Sequence, residues 1–376
     1  MRLLVTGGSG FIGGHLIRRL LQRGHEIAVL DIEHSLDTQS GHAVEGVDYE
    51  FIQGDVRHAD TVRRAVTGVE CIVHLAALTG VGQSMYETVD YSLVNCVGTA
   101  TLLSAMESAP SLRRVVVASS RAVYGEGAHR CFKGHLFVAA PRSREALQRG
   151  EWDHRCSVCG STSAPVPTGE STVPVATSIY GSTKLFQEQA IRAVSTGRGV
   201  EWAALRLFNV YGPGQLLSNP YTGILGVFAR QGRARTACNL YEDGLMVRDF
   251  VFIDDVVAAF AGAVERPLNV VDPVMNIGTG VPTTLRDLAT MLSELQGAPA
   301  PQVSSDYRVG DIRHCYADVQ KAEEVLGFRA GTGLKTGLAR YLDWFETQEI
   351  PAVVDATAEL ENKGLFGSAG RGSASE

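Results

Sequence analysis

The opening stretch, MRLLVTGGSGFIGGHLIRRLLQRGHEIAVLD, constrains what this chain folds into more than any other part of it. Residues 2–6 read as a short apolar strand, and Gly7, Gly10 and Gly13 turn the chain into a helix that starts with Phe11 and Ile12. Glycine there serves a tight turn, a close backbone approach to a pyrophosphate, and the packing of helix on strand. The first turn of the helix has unpaired N–H groups for an anion. A second strand, HEIAVLD, ends on Asp31, where a carboxylate accepts hydrogen bonds from the hydroxyls of an adenosine ribose. A Gly-rich turn alone is an ordinary loop. Strand, turn, helix, strand and acid in that order specify a dinucleotide site. Asp31 argues for NAD over NADP, because a 2′-phosphate would meet like charge.

The rhythm continues through the first half. Strands at 49–53, 70–75, 113–118 and 201–207 alternate with helices at 60–66, 91–108 and 178–196. This is the pattern of the α/β class, a Rossmann-type doubly wound parallel sheet. Segments such as IAVL, CIVHLA and RVVVA are apolar on both faces, as strands covered by helices on each side must be. Ligands of such sheets lie beyond the carboxyl ends of strands, where Asp55, residues 74–77, Ser119, Ser120 and residues 206–209 fall.

Residues 1–207 are therefore expected to form an NAD-binding domain. Two regions depart from its pattern. Residues 126–175 are a long insert, expected to be irregular, with three of the seven cysteines. Residues 208–347 read as a smaller C-terminal α/β substrate domain, from which 248–266 is expected to return a strand and helix to the first domain. Residues 348–376 are a C-terminal tail whose end, NKGLFGSAGRGSASE, is rich in Gly and Ser and expected to be disordered.

Composition excludes several classes. A chain of 376 residues with 45% apolar content has room for a large core. A net charge of −7 provides no general basic field for nucleic acid or an anionic membrane. An anionic ligand would need a local arginine cluster instead. No apolar run reaches the roughly 18 residues of a membrane span, and no charged-then-apolar leader precedes the first strand, so no secretory signal is expected. An odd number of cysteines, mostly scattered through core-like segments, fits a reduced cytoplasmic protein better than a disulfide framework.

Tyr180 and Lys184, four apart in SIYGSTK, share one face of the expected helix. An ammonium near a phenol favours the phenolate and brings its pKa toward a value useful to a base. Taken alone, this spacing is a common surface pair. Here it follows a strand ending VVVASS, whose Ser120 is placed to donate to a substrate oxygen while Tyr180 takes its proton; capping a turn is the other reading of Ser120.

Together these residues resemble the extended short-chain dehydrogenase/reductase family, particularly its nucleotide-sugar epimerases, over about residues 1–347. GGSGFIGGHL is similar to the family's Gly-rich fingerprint. GDV, with Asp55 and Val56, matches the segment at the adenine, and HLAA, with Leu75, Ala76 and Ala77, the segment over the cofactor. NCVGT matches the helix that carries Asn95. SSRAVYG and YGSTK match the catalytic serine and Tyr-x-x-x-Lys. The resemblance implies Tyr180 as acid/base, Lys184 as the holder of the nicotinamide ribose as well, and Ser120 as assistant. It also implies Arg248 and Arg308 around a nucleoside diphosphate, Asn209 at the diphosphate or the sugar, Asn219 and Thr222 near the base or diphosphate, and Gln83 and Ser84 at the sugar. For Arg248 and Arg308 the chemistry agrees, since a guanidinium fork suits phosphate oxygens. A salt bridge is the competing reading for either.

Positions 121 and 122 sort reactions within the family. Nucleotide-sugar 4,6-dehydratases place Asp-Glu there and decarboxylating relatives a Thr-Ser-Glu run, whereas this chain has Arg121 and Ala122. An elimination would lack its acid and base, which leaves hydride chemistry. SSRAVYGEG, GVGQSMY and LSNPYTGIL most resemble dTDP-L-rhamnose 4-epimerase-like enzymes. The implied activity is NAD-dependent 4-epimerisation of a dTDP-6-deoxyhexose. UDP-hexose or UDP-hexuronate 4-epimerisation, net nucleotide-sugar oxidation or reduction, and a cofactor-binding scaffold without turnover are the alternatives. The helices near 84–108 and 178–196 match those through which relatives form dimers, so a homodimer is expected.

The insert carries Cys156 and Cys159 as C-x-x-C followed by Gly, the tight knuckle that aims two thiolates at one ion. Cys131 supplies a third ligand, and a fourth comes from His129, His135 or His154, with His135 taken first. A structural zinc would offset the cost of ordering a segment with little core of its own. Unliganded thiols and a redox pair are the alternatives, although a redox pair would normally follow a strand at a helix start.

Overall fold

The computed structural model describes residues 1–33, 49–217, 223–268, 270–349 and 356–370. Strand β1 (Arg2–Thr6) runs into helix α1 (Phe11–Gln22) and back to β2 (Glu26–Asp31). Then come β3 (Glu50–Gln53), α2 (Ala59–Ala65), β4 (Cys71–His74) and β5 (Arg114–Ser120). After an insert containing β6 (Ala128–Cys131), β7 (Leu136–Val138) and β8 (Ser163–Pro165), helix Ile179–Arg198 leads to β9 (Glu201–Leu207). The large sheet has seven strands in the order Val274–Ile277, β9, β5, β4, β1, β2, β3, and each pairing is parallel.

The strands are buried on both faces because the side-chain period of two divides them between two cores. Leu3, Val5, Val29, Val73, Val116 and Leu205 pack with Leu16, Ile17 and Leu20 of α1 and with the helix Ile253–Glu265. Leu4, Ala28, Leu30, Ile72, Val115 and Val117 pack on the other side with Val62, Leu102 and Ile191. A one-residue slip in any strand would exchange the two sets.

Three expectations need correction. The insert is not irregular: β6 pairs antiparallel with both β7 and β8, and Arg144–Gln148 is a short helix. Within 248–266 the helix packs on α1, but the strand Phe250–Phe252 pairs with Asn209–Tyr211 in a ribbon of its own. The strand that extends the large sheet is Val274–Ile277, beside β9. In the Gly/Ser-rich end, Phe366–Ser368 pairs antiparallel with Asp306–Arg308, and a helix, Ala356–Asn362, precedes it. Three-residue pairings like these depend on distant partners and leave little local pattern. Residues 371–376 lie outside the described residues. No helix among the described residues is long and apolar enough to cross a membrane.

The helical stretch near 91–108 is broken into Thr88–Tyr91, a π-helical turn Ser92–Val97 and Gly98–Ala105. Such turns often mark functional positions. This one presents Asn95, whose buried amide accepts from Leu78 N–H at 2.8 Å and donates to Thr183 Oγ1 at 3.0 Å.

Candidate active site

The glycine turn closes against β4. Gly7 has φ +71° and a Cβ there would lie 2.6 Å from Ala76 N, so this position excludes a side chain on both counts. Gly10 begins α1 with no side-chain cap, which leaves the first N–H groups of the helix without one. Ser9 Oγ is buried beside the Asp31 carboxylate. Asp31 stands at the carboxyl end of β2, where its carboxylate accepts from Ser9 N–H at 2.9 Å and Ile32 N–H at 2.8 Å. Burial raises its pKa, and these N–H groups oppose the rise. Asp55 is paired with Arg57 at 2.6 Å, which holds its carboxyl below the usual range, and Val56 is buried beside it. Thr6 O accepts from Leu75 N–H at 3.0 Å, so the 75–77 segment leaves β4 directly over the glycine turn.

The helix Ile179–Arg198 is started by Ser178, whose hydroxyl accepts from Gly181 N–H at 3.1 Å. It approaches the turn after β5 so closely that a Cβ on Gly181 would lie 2.5 Å from Ala122 O. This approach brings the Tyr180 hydroxyl to the side chain of Ser120. The Ser120 Oγ also accepts from Ala122 N–H at 3.2 Å, the turn-capping contact read from the sequence. Burial raises the Tyr180 pKa, opposed by the Ser120 hydrogen bond and the Arg121 charge. The Tyr180 ring meets Tyr91 edge-on, with centroids 6.5 Å apart.

One helical turn on, Lys184 Nζ donates to Ala118 O and to Gln187 Oε1, each at 2.9 Å. Burial pulls its pKa down to about 7, with Glu188 opposing. The four-residue spacing does not reveal this burial. Gln187 was missed by sequence reasoning, though its place three residues after Lys184 marks it; it also bonds Thr99 at 2.7 Å. His74 lies nearby, but burial and then the Lys184 charge push it down to about 3, so it stays neutral and is no candidate base. Ser119 bonds the buried carboxylate of Glu188, which Arg206 holds in a fork at 2.9 and 2.7 Å.

The substrate-side residues separate. Asn209 accepts from Arg121 Nε at 3.0 Å. Arg248 is buried and donates to Ile312 O at 2.5 Å, Arg313 O at 3.1 Å and Asp311 at 3.2 Å. Burial, then the Arg121 charge, lower its pKa to about 10. Arg308 lies elsewhere, over the Tyr241 ring at 5.2 Å and opposite Phe366 of the last strand. Gln83 donates to Glu87 at 3.0 Å, and Ser84 accepts from Tyr180 N–H at 3.1 Å, so both are tied into the neighbouring helices. Asn219 and Thr222 lie outside the described residues.

The insert packs against this side through a buried network that sequence reasoning missed. Glu126 accepts from Arg313 N–H at 2.6 Å and lies 3.1 Å from His154 Nε2. Glu242 receives Arg142 at 2.7 Å and Arg313 at 3.0 Å. Burial works against the Glu126 carboxylate, but His154, Arg142 and the Arg313 N–H outweigh it and its pKa lies below the usual range. The ligand atoms of Cys131, His135, Cys156 and Cys159 all lie within 4.8 Å of one another. His129 and His154 face each other at 5.0 Å instead, apart from the cysteines.

Residues 3–143 and 155–278 match the model of the NAD dependent epimerase/dehydratase family. The chain belongs to that family. The break in the match, 144–154, falls inside the insert. A dTDP-L-rhamnose 4-epimerase of Burkholderia thailandensis is 38% identical over 350 residues, covering 91% of this chain and 94% of that protein. A UDP-glucose 4-epimerase of Mycolicibacterium smegmatis is 30% identical over 93% of this chain and 99% of its own. Among solved structures, MoeE5 in complex with UDP-glucuronic acid and NAD superposes with a TM-score of 0.74 at 31% identity, covering 92% of this chain and 99% of its own. This family member is thus an NAD-dependent enzyme of the nucleotide-sugar epimerase type.

Proposed function

We propose that this NAD-dependent nucleotide-sugar 4-epimerase acts on a dTDP-6-deoxyhexose, dTDP-L-rhamnose being the first substrate to try, and that Ser120, Tyr180 and Lys184 carry its chemistry. The observation that carries the chemical reading is the pairing of Ser120 with Tyr180 at the end of β5, with Arg121 and Ala122 where an elimination would need carboxylates. The 38% identity to the dTDP-L-rhamnose 4-epimerase, against 30% for the UDP-glucose enzyme, supports the deoxyhexose. The likeness to MoeE5, with its UDP-glucuronic acid, makes a UDP-hexuronate the second reading.

The glycine turn fits NAD: it excludes a side chain at Gly7 and leaves the start of α1 uncapped. Gly7, Gly10, Phe11, Ile12 and Gly13 would hold the pyrophosphate, Asp31 the adenosine ribose, and Asp55 and Val56 the adenine side. Leu75, Ala76 and Ala77 would cover the cofactor, Asn95 would support that segment, and Tyr180 and Lys184 would meet the nicotinamide ribose. Bound NAD supplies a reversible hydride acceptor at C4. Tyr180 takes the C4 hydroxyl proton while Ser120 holds the oxygen. On re-reduction Tyr180 would return the proton to the same oxygen, which requires the site to let the oxidised sugar present its opposite face. The cycle produces C4 inversion and no net redox change.

Cys131, His135, Cys156 and Cys159 are proposed to hold a structural zinc ion, for which three thiolates and one imidazole are a suitable closed set. A cytoplasmic location is proposed with it, where thiols stay reduced and available as ligands. A homodimer is proposed through Met85, Val89, Leu93, Val97 and Phe186, apolar residues left exposed on the broken helical stretch 85–97 and on the helix Ile179–Arg198, with Val89 67% exposed. Leu93→Glu is expected to halve the mass measured by light scattering while leaving the melting temperature of the monomer measurable; an unchanged mass would remove this face from the interface.

The substrate reading is tested by product analysis of the purified enzyme with dTDP-L-rhamnose, UDP-glucose and UDP-glucuronate, without added NAD. Inversion at C4 without accumulated NADH, fastest with dTDP-L-rhamnose, is expected. Preference for either UDP sugar replaces the base and sugar assigned here, and steady NADH production upon adding NAD replaces epimerisation by net oxidation.

A further inference from the structure

Arg121 is a charged residue of the site that proton transfer does not use. It follows Ser120 directly and opens the short turn Arg121–Tyr124. Its Nε is anchored on Asn209 Oδ1 at 3.0 Å, while its Nη1 is buried and has no hydrogen-bond partner. The buried arginines around it each have a carboxylate: Arg206 has Glu188 at 2.7 Å, Arg248 has Asp311 at 3.2 Å, and Arg313 has Glu242 at 3.0 Å. Arg121 pairs with none among the described residues. Its charge nonetheless reaches both ends of the site, opposing the burial-driven rise at Tyr180 and adding to the burial-driven fall at Arg248.

A buried guanidinium N–H without an acceptor, close to a second guanidinium, is unfavourable until an anion supplies both acceptor and opposite charge. The substrate class proposed above brings such a group, and a guanidinium fork with one N–H already anchored is oriented to receive it. We propose that Arg121 is a substrate-binding residue whose Nη1 receives an anionic oxygen of the nucleotide sugar, between Ser120 and Arg248. The inference rests on the nucleotide-sugar reading of the site. That oxygen belongs either to the diphosphate, which every candidate substrate has, or to the C6 carboxylate of a hexuronate.

The test compares wild type with Arg121→Gln and Arg121→Lys for NAD content, melting temperature, affinity for free dTDP and UDP, and kcat and KM with the three nucleotide sugars. Arg121→Gln is expected to keep its NAD and to weaken binding about tenfold or more, the usual effect of losing a charge-assisted hydrogen bond. Arg121→Lys is expected to recover part of the loss, since it keeps the charge without the fork. Equal weakening of free dTDP, UDP and all three sugars assigns the oxygen to the diphosphate. Weakening confined to UDP-glucuronate assigns it to the carboxylate. Unchanged binding and KM throughout, or a fall in kcat alone, overturns the proposal. If Arg121→Gln loses NAD or melts early, Arg121→Lys alone decides by the same criteria. Free-nucleotide affinity is read even if none of the three sugars turns over, so failure of the substrate reading and failure of this one are separate results.

Discussion

Tyr180→Phe is expected to leave a folded, NAD-retaining protein whose kcat falls by about 10²–10⁴-fold, the range for losing a positioned acid/base. The substitution removes one hydroxyl. The ring keeps its edge-on contact with Tyr91, and the backbone N–H keeps its bond to Ser84. What is lost is the hydroxyl that faces the Ser120 side chain. With ring and backbone in place, KM should change far less than kcat. No nearby group is suited to replace the phenol: His74 is held down to about 3, and Lys184 Nζ is already committed to Ala118 O and Gln187. Steady-state kinetics on the preferred nucleotide sugar, with NAD content and melting temperature as controls, checks it. Turnover within tenfold of wild type would remove Tyr180 from the mechanism.

Protein purified without chelator is expected to contain one zinc per chain, and Cys156→Ser to remove it and lower the melting temperature by roughly 5–10 °C. The size of the effect follows from what the insert has to hold it. Its three strands are short, and the apolar side chains Phe132, Leu136 and Val158 are exposed near the cysteines. The insert contributes little core of its own, so a metal tie between the end of β6 and the 156–159 turn has a large share of the work of ordering it. Loosening the tie also reaches the site. His154, two residues before Cys156, contacts Glu126; Glu126 accepts from Arg313 N–H; and Arg313 O accepts from Arg248. A rise in KM for the nucleotide sugar should therefore accompany loss of metal, with NAD content unchanged because the glycine turn is remote from this chain of contacts. Metal analysis and thermal melting check it, and a zinc-free preparation that melts like the wild type would return these cysteines to unliganded thiols.

The first half of the fold was legible because its rules are local. β1, β2 and β9 are each built on the apolar run that marked them, since strands buried on both faces carry apolar residues at successive positions. The glycine turn and Asp31 were legible for the same reason, as a backbone requirement fixes residue type at fixed spacing. The insert and the C-terminal strands were not. β6, β7 and β8 are only three or four residues long, and Phe366–Ser368 is a strand only because Asp306–Arg308, about sixty residues earlier, lies beside it. Segments that short have too few alternations to be read.

The metal cluster divides along the same line. The spacing of Cys156 and Cys159 marked two ligands, but three histidines competed for the last place. The β6–β7 hairpin decided it: Cys131 N–H bonds His135 O at 3.0 Å, which folds His135 back beside the thiols, while His129 and His154 turn toward each other and Glu126. Arg248 and Arg308 also looked equivalent in the sequence. Folding buried one among the carbonyls of residues 312 and 313 and laid the other on Tyr241. By itself, then, the sequence determined the parallel sheet, the dinucleotide turn and the Tyr-x-x-x-Lys face, all matters of period and spacing along one segment. Only the tertiary structure decided which histidine joins the thiols, which of Arg248 and Arg308 lies near Arg121, and that Arg121 is left with an unanswered charge. Those outcomes depend on contacts between segments far apart in the chain, where burial and available partners, rather than residue type, set the result.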